Sequence, residues 1–581
     1  MVYERNFNLI ERKFRELLFP TIANTITGNF AVLVDAFLIS LILGSNYLSV
    51  VQCVEPLILL FVVINWTLGI GGDILSSVAR TSFDDKKSNE IFTIALISGI
   101  IMSVAMMALS LLFYDSILQF LCSSATLRPL VGQYLIYLLI SMPFVTYMVI
   151  LAFFIRSFGF IKLQFWAYLI CNIANIACDI IFMKYFNLGI AGAGLASLTG
   201  EIIGALIISY YFLSSKKSLK IVKIKLFSMI SDFVDICKSG ISISSTQFYM
   251  SLKFMFINYL LLAIAGELGL ATLNMCNNTL YIALILILGV THSLLPIASV
   301  YYKEEDYKGV NYSIHRAAKI VMVIGILFSL LVIIFPEIIL FLFNVQNPAD
   351  IPTVITSIRI FSLSFVGYGI CNLYIFYIQA IQFNKLANVV SLFEGLIFPV
   401  IFAYLLGYLW GINGVWISFA VSEYLTILLL FIYSKYLEKK SKHEYSGFFI
   451  NKQDNSIQKW EFTLKGTVEE VSKFSKEVQK HLDNSKSGTK TCQAIEGMLT
   501  QIINLNEEVD LIDIIIKNKK DKILISIKYS GIPCNPTEAE NLKNGENKNL
   551  DFRMDDLSEL TDNIEYSQIL ELNNVLIEIN K

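Results

Sequence analysis

The chain of 581 residues is 55% hydrophobic and only 16% charged, against about 25% charged in soluble domains, so most of it belongs in a membrane. A formal net charge of −2 argues against a nucleic-acid partner and against an acidic substrate. The nine cysteines include no CxxC and sit mostly in apolar stretches, as small hydrophobes rather than a disulfide frame or metal site.

The first residues, MVYERNFNLIERKFRELLF, are charged and amphipathic and lack a small-residue cleavage site, which predicts a cytoplasmic lead-in helix rather than a signal peptide. Apolar runs of about 20 residues, enough to span a bilayer, then recur. They fall at 17–43, 48–78, 91–114, 129–156, 163–184, 189–213, 236–264, 270–299, 315–343, 356–384, 386–408 and 412–435, twelve in all. Basic residues gather in alternate connections. Arg80, Lys86 and Lys87 follow the second span, Arg156 and Lys162 the fourth, and Lys216, Lys217, Lys220, Lys223 and Lys225 the sixth; Lys303 and Lys308 follow the eighth. The intervening loops GSNYL, GELG and NVQNPADIPT are nearly free of Lys and Arg. That asymmetry predicts a multi-pass protein of the cell membrane with both termini cytoplasmic.

The two halves repeat. GIAGAGLASLTGE at 189–201 aligns with GINGVWISFAVSE at 411–423, an offset of 411 − 189 = 222, and the same offset carries Gly44 onto Gly266 and sets FDDKKSNE beside YKEEDYKG. One ungapped offset over six spans implies a parallel duplication. The expected domains are an N-lobe at 1–220, a C-lobe at 221–440, a basic linker at 441–455 and a cytoplasmic tail at 456–581. In the tail, strands (QKWEFTLKG, LIDIIIKN, KILISIKYS, VLIEIN) alternate with amphipathic helices (VEEVSKFSKEVQKHL, KTCQAIEGMLTQIINL). The expected fold is therefore an all-α polytopic membrane protein of twelve transmembrane helices in two pseudo-symmetric six-helix lobes, with a small C-terminal α/β sandwich.

Several spans carry polar groups that solubility does not explain. In AYLICNIANIACDIIF (167–182), Asn172, Asn175 and Asp179 are spaced i, i+3 and i+7 and share one helix face. Asp35 lies midway along the first span. A lone carboxylate at mid-bilayer costs about 2.5–3.5 kcal/mol, so such groups face a bundle interior or water. Glu201 and Glu423 occupy equivalent positions of the repeat; they either meet a cationic cargo in a cavity or bond a neighbouring Ser or Tyr. Lys253 is a candidate partner for a buried acid, including Glu394. Glu55 and Asp73, near the ends of span two, have a weaker case, and His292 is a lone histidine of the kind that usually makes a structural bond.

FGFIKLQFWAYLICNIANIACDIIF in span five, LGIAGAGLASLTG opening span six, LVDAFLISLILG in span one and Pro20 near its start resemble the MATE (multidrug and toxic compound extrusion) family over residues 10–435. The resemblance implies an exporter driven by inward H⁺ or Na⁺, with a central cavity opening alternately to each side. Carried over by position, it implies a coupling-ion site of Asp35, Asn175, Asp179 and Ser197, the last commonly a Thr. Two carboxylates converging in a poorly hydrated pocket do not both ionise without cost, which suits them to hold a proton. The amide and hydroxyl oxygens would complete a shell for Na⁺ at Asp35 and Asp179. Asn172, Glu201, Lys253, Glu394 and Glu423 are the cavity and substrate candidates. Glu394 stands where many relatives carry an Arg, and span seven lacks the acid of Na⁺-binding relatives near Met250, so a C-lobe Na⁺ site is not expected.

The tail is similar to GHKL-type ATPase domains of the anti-sigma-factor and histidine-kinase kind, in degenerate form. Glu496 and the Gly531–Pro533 loop match, but Thr500 stands in place of the metal-binding Asn, Tyr529 in place of the adenine-reading Asp, and ENKNLDFRMDD in place of the Gly-rich lid. Loss of those groups implies no ATP hydrolysis and no bound cofactor, and a regulatory or docking role with a cytosolic protein partner. The leading expectation is thus a secondary transporter, not an enzyme, exporting organic cations or drug-like amphiphiles. The alternatives are a lipid-linked oligosaccharide flippase of the same superfamily, disfavoured by acidic rather than basic cavity residues, and a membrane sensor signalling through the tail. An ATP-driven pump has no Walker A motif to support it.

Overall fold

The computed structural model describes residues 4–81, 84–157, 160–214, 219–223, 226–453, 458–481, 486–506, 509–519, 521–531, 535, 557, 560–569 and 572–580. Two compact units result: one of Pro20–His292 with Ala317–Phe431, and one of Met1–Phe19, Ser293–Arg316 and Ile432–Lys581.

In chain order the helices are α1 (Asn8–Leu43), α2 (Leu48–Thr81), α3 (Asp85–Leu112), α4 (Tyr114–Leu121), α5 (Arg128–Ser157), α6 (Ile161–Asp179), α7 (Ile190–Ile208), α8 (Leu226–Lys303), α9 (Tyr307–Ile334), α10 (Glu337–Leu342), α11 (Ile351–Ser362), α12 (Ser364–Ala380), α13 (Asn384–Leu392), α14 (Phe398–Trp410) and α15 (Ile412–Lys440). Among the described residues ten segments are long and apolar enough to cross a membrane. One of them, α8, holds two of the expected spans, and α1 supplies another, which gives the twelve. The lead-in and first span form one continuous helix with Pro20 inside it, as membrane helices allow when neighbours re-satisfy the freed backbone. The expected GELG loop shrinks to a kink at Gly266 (φ 62°, ψ −147°) within α8.

Two further glycines, repeat counterparts of one another, share the backbone geometry of that kink. Gly189 opens α7 at φ 58°, ψ −142°, and Gly411 opens α15 at φ 60°, ψ −143°. A side chain is strained in this region and glycine is not, so the repeat is written in backbone geometry as well as in sequence. Gly44, the counterpart of Gly266, also has positive φ.

The second unit contains the tail. A five-stranded antiparallel sheet of order β3-β4-β5-β7-β6 joins β3 (Gln458–Lys465), β4 (Leu511–Asn518), β5 (Lys522–Tyr529), β6 (Asn563–Ile569) and β7 (Leu572–Asn580). Helices α16 (Val468–His481) and α17 (Lys486–Leu505) cover one face. Alternation sets that face: Phe462 and Leu464, Ile512, Ile514 and Ile516, Ile523, Ile525 and Ile527, and Val575, Ile577 and Ile579 pack against Val471, Phe474, Ile495, Met498 and Leu499. Strand β6 was not among the expected strands. It is a largely exposed edge strand, NIEYSQI, so it lacks the apolar alternation that betrays its neighbours. After α15 ends at Lys440, the segment expected as a basic linker (441–455) carries a short hairpin of β1 (Tyr445–Ser446) and β2 (Asn451–Lys452).

The opposite face of the sheet is polar yet buried, because it holds the chain's own N-terminal segment and the turn between α8 and α9. Glu4 bridges to Phe462 as a fragment of antiparallel strand. Arg5 (6% exposed) grips Asp306 through two bonds of 2.8 Å and reaches Asp513 at 3.2 Å and Glu461 at 3.5 Å. Lys517 donates to the backbone carbonyl of Glu304 at 2.6 Å and pairs with Glu305 at 3.4 Å. Lys519 pairs with Glu305, Lys528 with Glu304, and Asn574 donates to Glu304. Burial alone would loosen the Arg5 proton, but Asp306, Asp513 and Glu461 more than offset it, so Arg5 holds that proton more firmly than usual. Burial likewise opposes charge on Asp306, and Arg5, Lys528 and Lys459 outweigh it, holding the carboxyl below the ordinary carboxylate range. Asp513 goes the other way: burial pushes it up further than Arg5 and Thr463 bring it down.

Candidate coupling and cargo sites

Asp179 ends α6, directly before a π-helical turn at Ile180–Tyr185, the kind of widened turn often found at functional sites. Its side chain is fully buried (0% exposed). The carboxyl of Asp35, from α1, comes within hydrogen-bonding reach of it. Neither Asp179 oxygen, nor Oδ1 of Asp35, receives a hydrogen bond from any described group. Two facing carboxyl groups without a donor are complete only when a proton or cation lies between them.

One turn earlier on α6, buried Asn175 donates from Nδ2 to Ser197 Oγ on α7 at 3.4 Å, and Ser197 donates to the Ala193 carbonyl at 3.2 Å. Glycines set the α6–α7 spacing. A Cβ added at Gly200 would lie 2.9 Å from Asn175 Cβ and 3.0 Å from the Cys171 carbonyl oxygen. Small residues of this kind let membrane helices meet backbone to backbone, and the Gly-Ala-rich opening of α7 serves that contact. The four expected site residues thus form two pairs, Asp35 with Asp179 and Asn175 with Ser197, on the inner side of α6. Asn172 is half-buried on the same face.

Two further groups belong to this neighbourhood and lie outside the residues singled out as the site. Buried Tyr134, on α5, is close enough to feel the charges of Asp35, Asp179 and Glu55, and Glu55 of α2 is also close to Tyr281 of α8. Nothing in the spacing of α5 marks Tyr134, one of 28 tyrosines. Glu55 was legible only as an unexplained acid.

The cavity candidates divide. Glu201 sits beside Cys171 and Tyr168, and its Oε2 is buried without a hydrogen-bond partner among the described residues. Lys253 of α8, Glu394 from the π-turn Phe393–Ile397 and Glu423 of α15 gather in the C-terminal half, with the two carboxyls in reach of one another and both under the influence of the Lys253 charge.

Between the halves, α2 and α8 meet along their lengths. Gln52 and Asn258 exchange bonds of 3.3 and 2.8 Å, Ser251 donates to the Pro56 carbonyl at 2.6 Å, and Thr67 and Ser244 share a 2.6 Å bond. Gly71 and Gly240 bring the two backbones together. Asn274 donates to Gln52 Oε1 at 3.4 Å, a contact between residues related by the 222-residue repeat. Ser124 and Thr126 both donate to Glu267, at the α8 kink.

In the tail, Thr500 Oγ1 donates to the Glu496 carbonyl of its own helix, so its hydroxyl is engaged where a metal-holding amide was expected to be lost. Gly531 (φ +136°) packs against Asn506, which a side chain there would strike at 2.6 Å. Pro533 and the segment 546–556 lie outside the described residues.

Twelve spans in two sequence-related halves, with a buried acid pair in the first, are the frame of a polytopic membrane transporter. The family model described as MatE matches residues 20–181 and 243–405, and the chain belongs to that family, whose members transport rather than catalyse. It is 24% identical over 422 residues to the multidrug export protein MepA of Staphylococcus aureus (strain MSSA476), covering 71% of this chain and 91% of that protein. It is 21% identical to MepA of Staphylococcus saprophyticus, covering 69% and 88%. Among solved structures it is similar to the inward-facing form of a multidrug resistance MATE family transporter of the MOP superfamily (TM-score 0.66, 20% identity, 71% of this chain and 95% of that one). An outward-facing form of such a transporter gives a TM-score of 0.59 at 20% identity, covering 74% and 96%.

Proposed function

We propose that the chain is a proton-coupled exporter of organic cations and related amphiphiles, resident in the cell membrane with both termini in the cytoplasm. The observation that carries this reading is the contact of Asp35 with Asp179, whose inward oxygens have no donor among the described residues. Protons entering from outside would fill that gap, and the MatE membership and the MepA likeness supply the direction of cargo. Protonation removes the repulsion between the acids and lets α1 close on α6, while cargo binding favours the state with the acids charged and apart; each ligand thus shifts the same equilibrium in opposite senses. The π-turn after Asp179 is the place where α6 can yield. The basic loops support the orientation. The tail acts as a regulatory module held in cis by the Arg5 contacts, and a cytosolic protein is the partner that would release it.

Everted vesicles carrying the full chain and a pH-sensitive dye test the coupling. An imposed ΔpH should dissipate when a cationic drug is added, and Asp179→Asn should lower that response at least about tenfold, the scale expected on losing one proton site. A response that follows an imposed Na⁺ gradient and ignores ΔpH replaces H⁺ with Na⁺. If Asp179→Asn transports as well as the parent under both gradients, the acid pair is not the coupling site.

A further inference from the structure

We infer that Lys253, Glu394 and Glu423 form a cargo subsite of mixed polarity, fitted to a zwitterionic amphiphile: the cationic nitrogen settles between the two carboxylates and the anionic group meets the Lys253 ammonium. This deepens the export reading above and rests on it.

The three groups come from three separate elements, α8, the π-turn Phe393–Ile397 and α15. Lys253 is 6% exposed and Glu423 5%, and Glu394 is the least buried of the three. Buried charges in a structural role normally close into hydrogen-bonded pairs, because separate burial is costly. This cluster is not closed. Glu423 Oε2 is buried and receives no hydrogen bond from any described group. The Lys253 ammonium lies over the neighbouring Phe254 ring, 5.3 Å from its centroid, although both glutamates are near enough to feel its charge. Opposite charges held close but unjoined set a donor beside acceptors with bonding capacity to spare.

Glu423 is also closely backed. A Cβ added at Gly367 would lie 2.5 Å from Glu423 Cβ, so α12 packs tightly behind that side chain, and Cys371 Sγ points to the Glu423 carbonyl at 3.8 Å. Such support keeps the carboxylate aimed when no ligand is present.

The repeat sharpens the point. At the 222-residue offset, Lys253, Glu394 and Glu423 correspond to Ala31, Asn172 and Glu201. The N-terminal half therefore keeps an acid and lacks the cation. A site for a simple cation or a proton gains nothing from a lysine beside it, since the like charge weakens binding. A site that must also satisfy an anionic group does gain.

The test is equilibrium binding to the full chain in detergent, read by fluorescence anisotropy, with a cationic rhodamine ethyl ester and its zwitterionic free acid as a matched pair. The parent protein should bind the acid at least as tightly as the ester. Lys253→Met should weaken the acid about tenfold, the scale of one charge-assisted contact, and leave the ester unchanged or tighter. Lys253→Arg should restore the acid, and Glu423→Gln should weaken both probes. If Lys253→Met moves acid and ester together, or moves neither, the subsite proposal is overturned. Should Lys253→Met not yield monodisperse protein, Lys253→Gln and Glu394→Gln carry the same comparison. No gradient is used, so a polarity split that survives while Asp179→Asn leaves vesicle transport untouched defeats the coupling reading and not this one.

Discussion

An alanine at Gly200 would place its Cβ against Asn175 Cβ and the Cys171 carbonyl oxygen, both at 3.0 Å or less. Neither neighbour is the free end of a flexible chain, so α7 must move away from α6. Overpacking of this kind costs roughly 1–3 kcal/mol. It would also stretch the Asn175–Ser197 bond, already 3.4 Å long. Gly200→Ala should therefore lower the melting temperature in detergent and impair drug export, although it removes no polar group. Gly189→Ala offers the contrast: nothing lies within 4 Å of its Cβ, and its cost comes from positive φ alone. Thermal melts of the two variants beside the parent separate the effects, and a Gly200→Ala protein as stable and active as the parent would mean that the α6–α7 contact is looser than its geometry implies. At this scale sequence was a good guide to the acids and amides, because a charge inside an apolar run stands out. It was a poor guide to Tyr134, since an aromatic residue in a membrane helix looks the same whether it packs or faces a carboxylate.

Among elements, the spans were legible because apolar length is a strong signal, and the glycine positions because the repeat doubles it. The tail strands with alternating isoleucines were equally plain. What escaped was whatever depends on long-range partners. Arg5, Asp306 and Asp513 belong to a lead-in, a loop and a strand, 301 and 508 residues apart in pairs, yet they share one buried cluster. Their titration makes a prediction. Asp306, held below the ordinary range by Arg5 and the nearby lysines, contributes stability that is complete above the usual Asp value of about 3.9 and fades only as pH falls through its lower folded value. Asp513, raised by burial, takes up its proton sooner, which relieves a buried charge and does not break the Arg5–Asp306 pair. Docking should thus not weaken between neutral pH and the ordinary carboxylate range, and any change there should be a strengthening as Asp513 takes up its proton. Hydrogen exchange of the Asn6 amide, which donates to Thr463 Oγ1, corrected for intrinsic rates, measures it, and a loss of protection within that window would refute the assignment. Arg5→Ala leaves Asp306, Asp513 and Glu461 without their shared cation, and should cost the docked state about 3–5 kcal/mol, freeing the Asn6 amide from Thr463 at any pH.

For the whole molecule, the consequence is that three distant stretches of chain act as one clasp. The segment held by the sheet leads into α1, which carries Asp35, and the turn held by Lys517, Lys519 and Lys528 joins α8 to α9. Alternating access requires the helices of a lobe to shift and the turns between them to follow. A folded domain fastened to both the first helix and the α8–α9 turn raises the cost of that motion without touching cargo. The tail should therefore behave as a brake. Releasing it by Arg5→Ala should raise the maximal rate of drug export in vesicles several-fold, within the range of a coupling free energy of about 1–3 kcal/mol, while leaving the half-saturating drug concentration and the ΔpH requirement unchanged. A scaffolding role makes the opposite prediction, since loss of the clasp would then reduce rate and stability together. The two are separated by measuring transport and melting temperature on the same preparations, with Lys519→Ala as a milder variant that removes a half-exposed pair and should give a smaller change in the same direction. Unchanged transport in an Arg5→Ala protein whose Asn6 amide has lost protection would show that docking and export are independent.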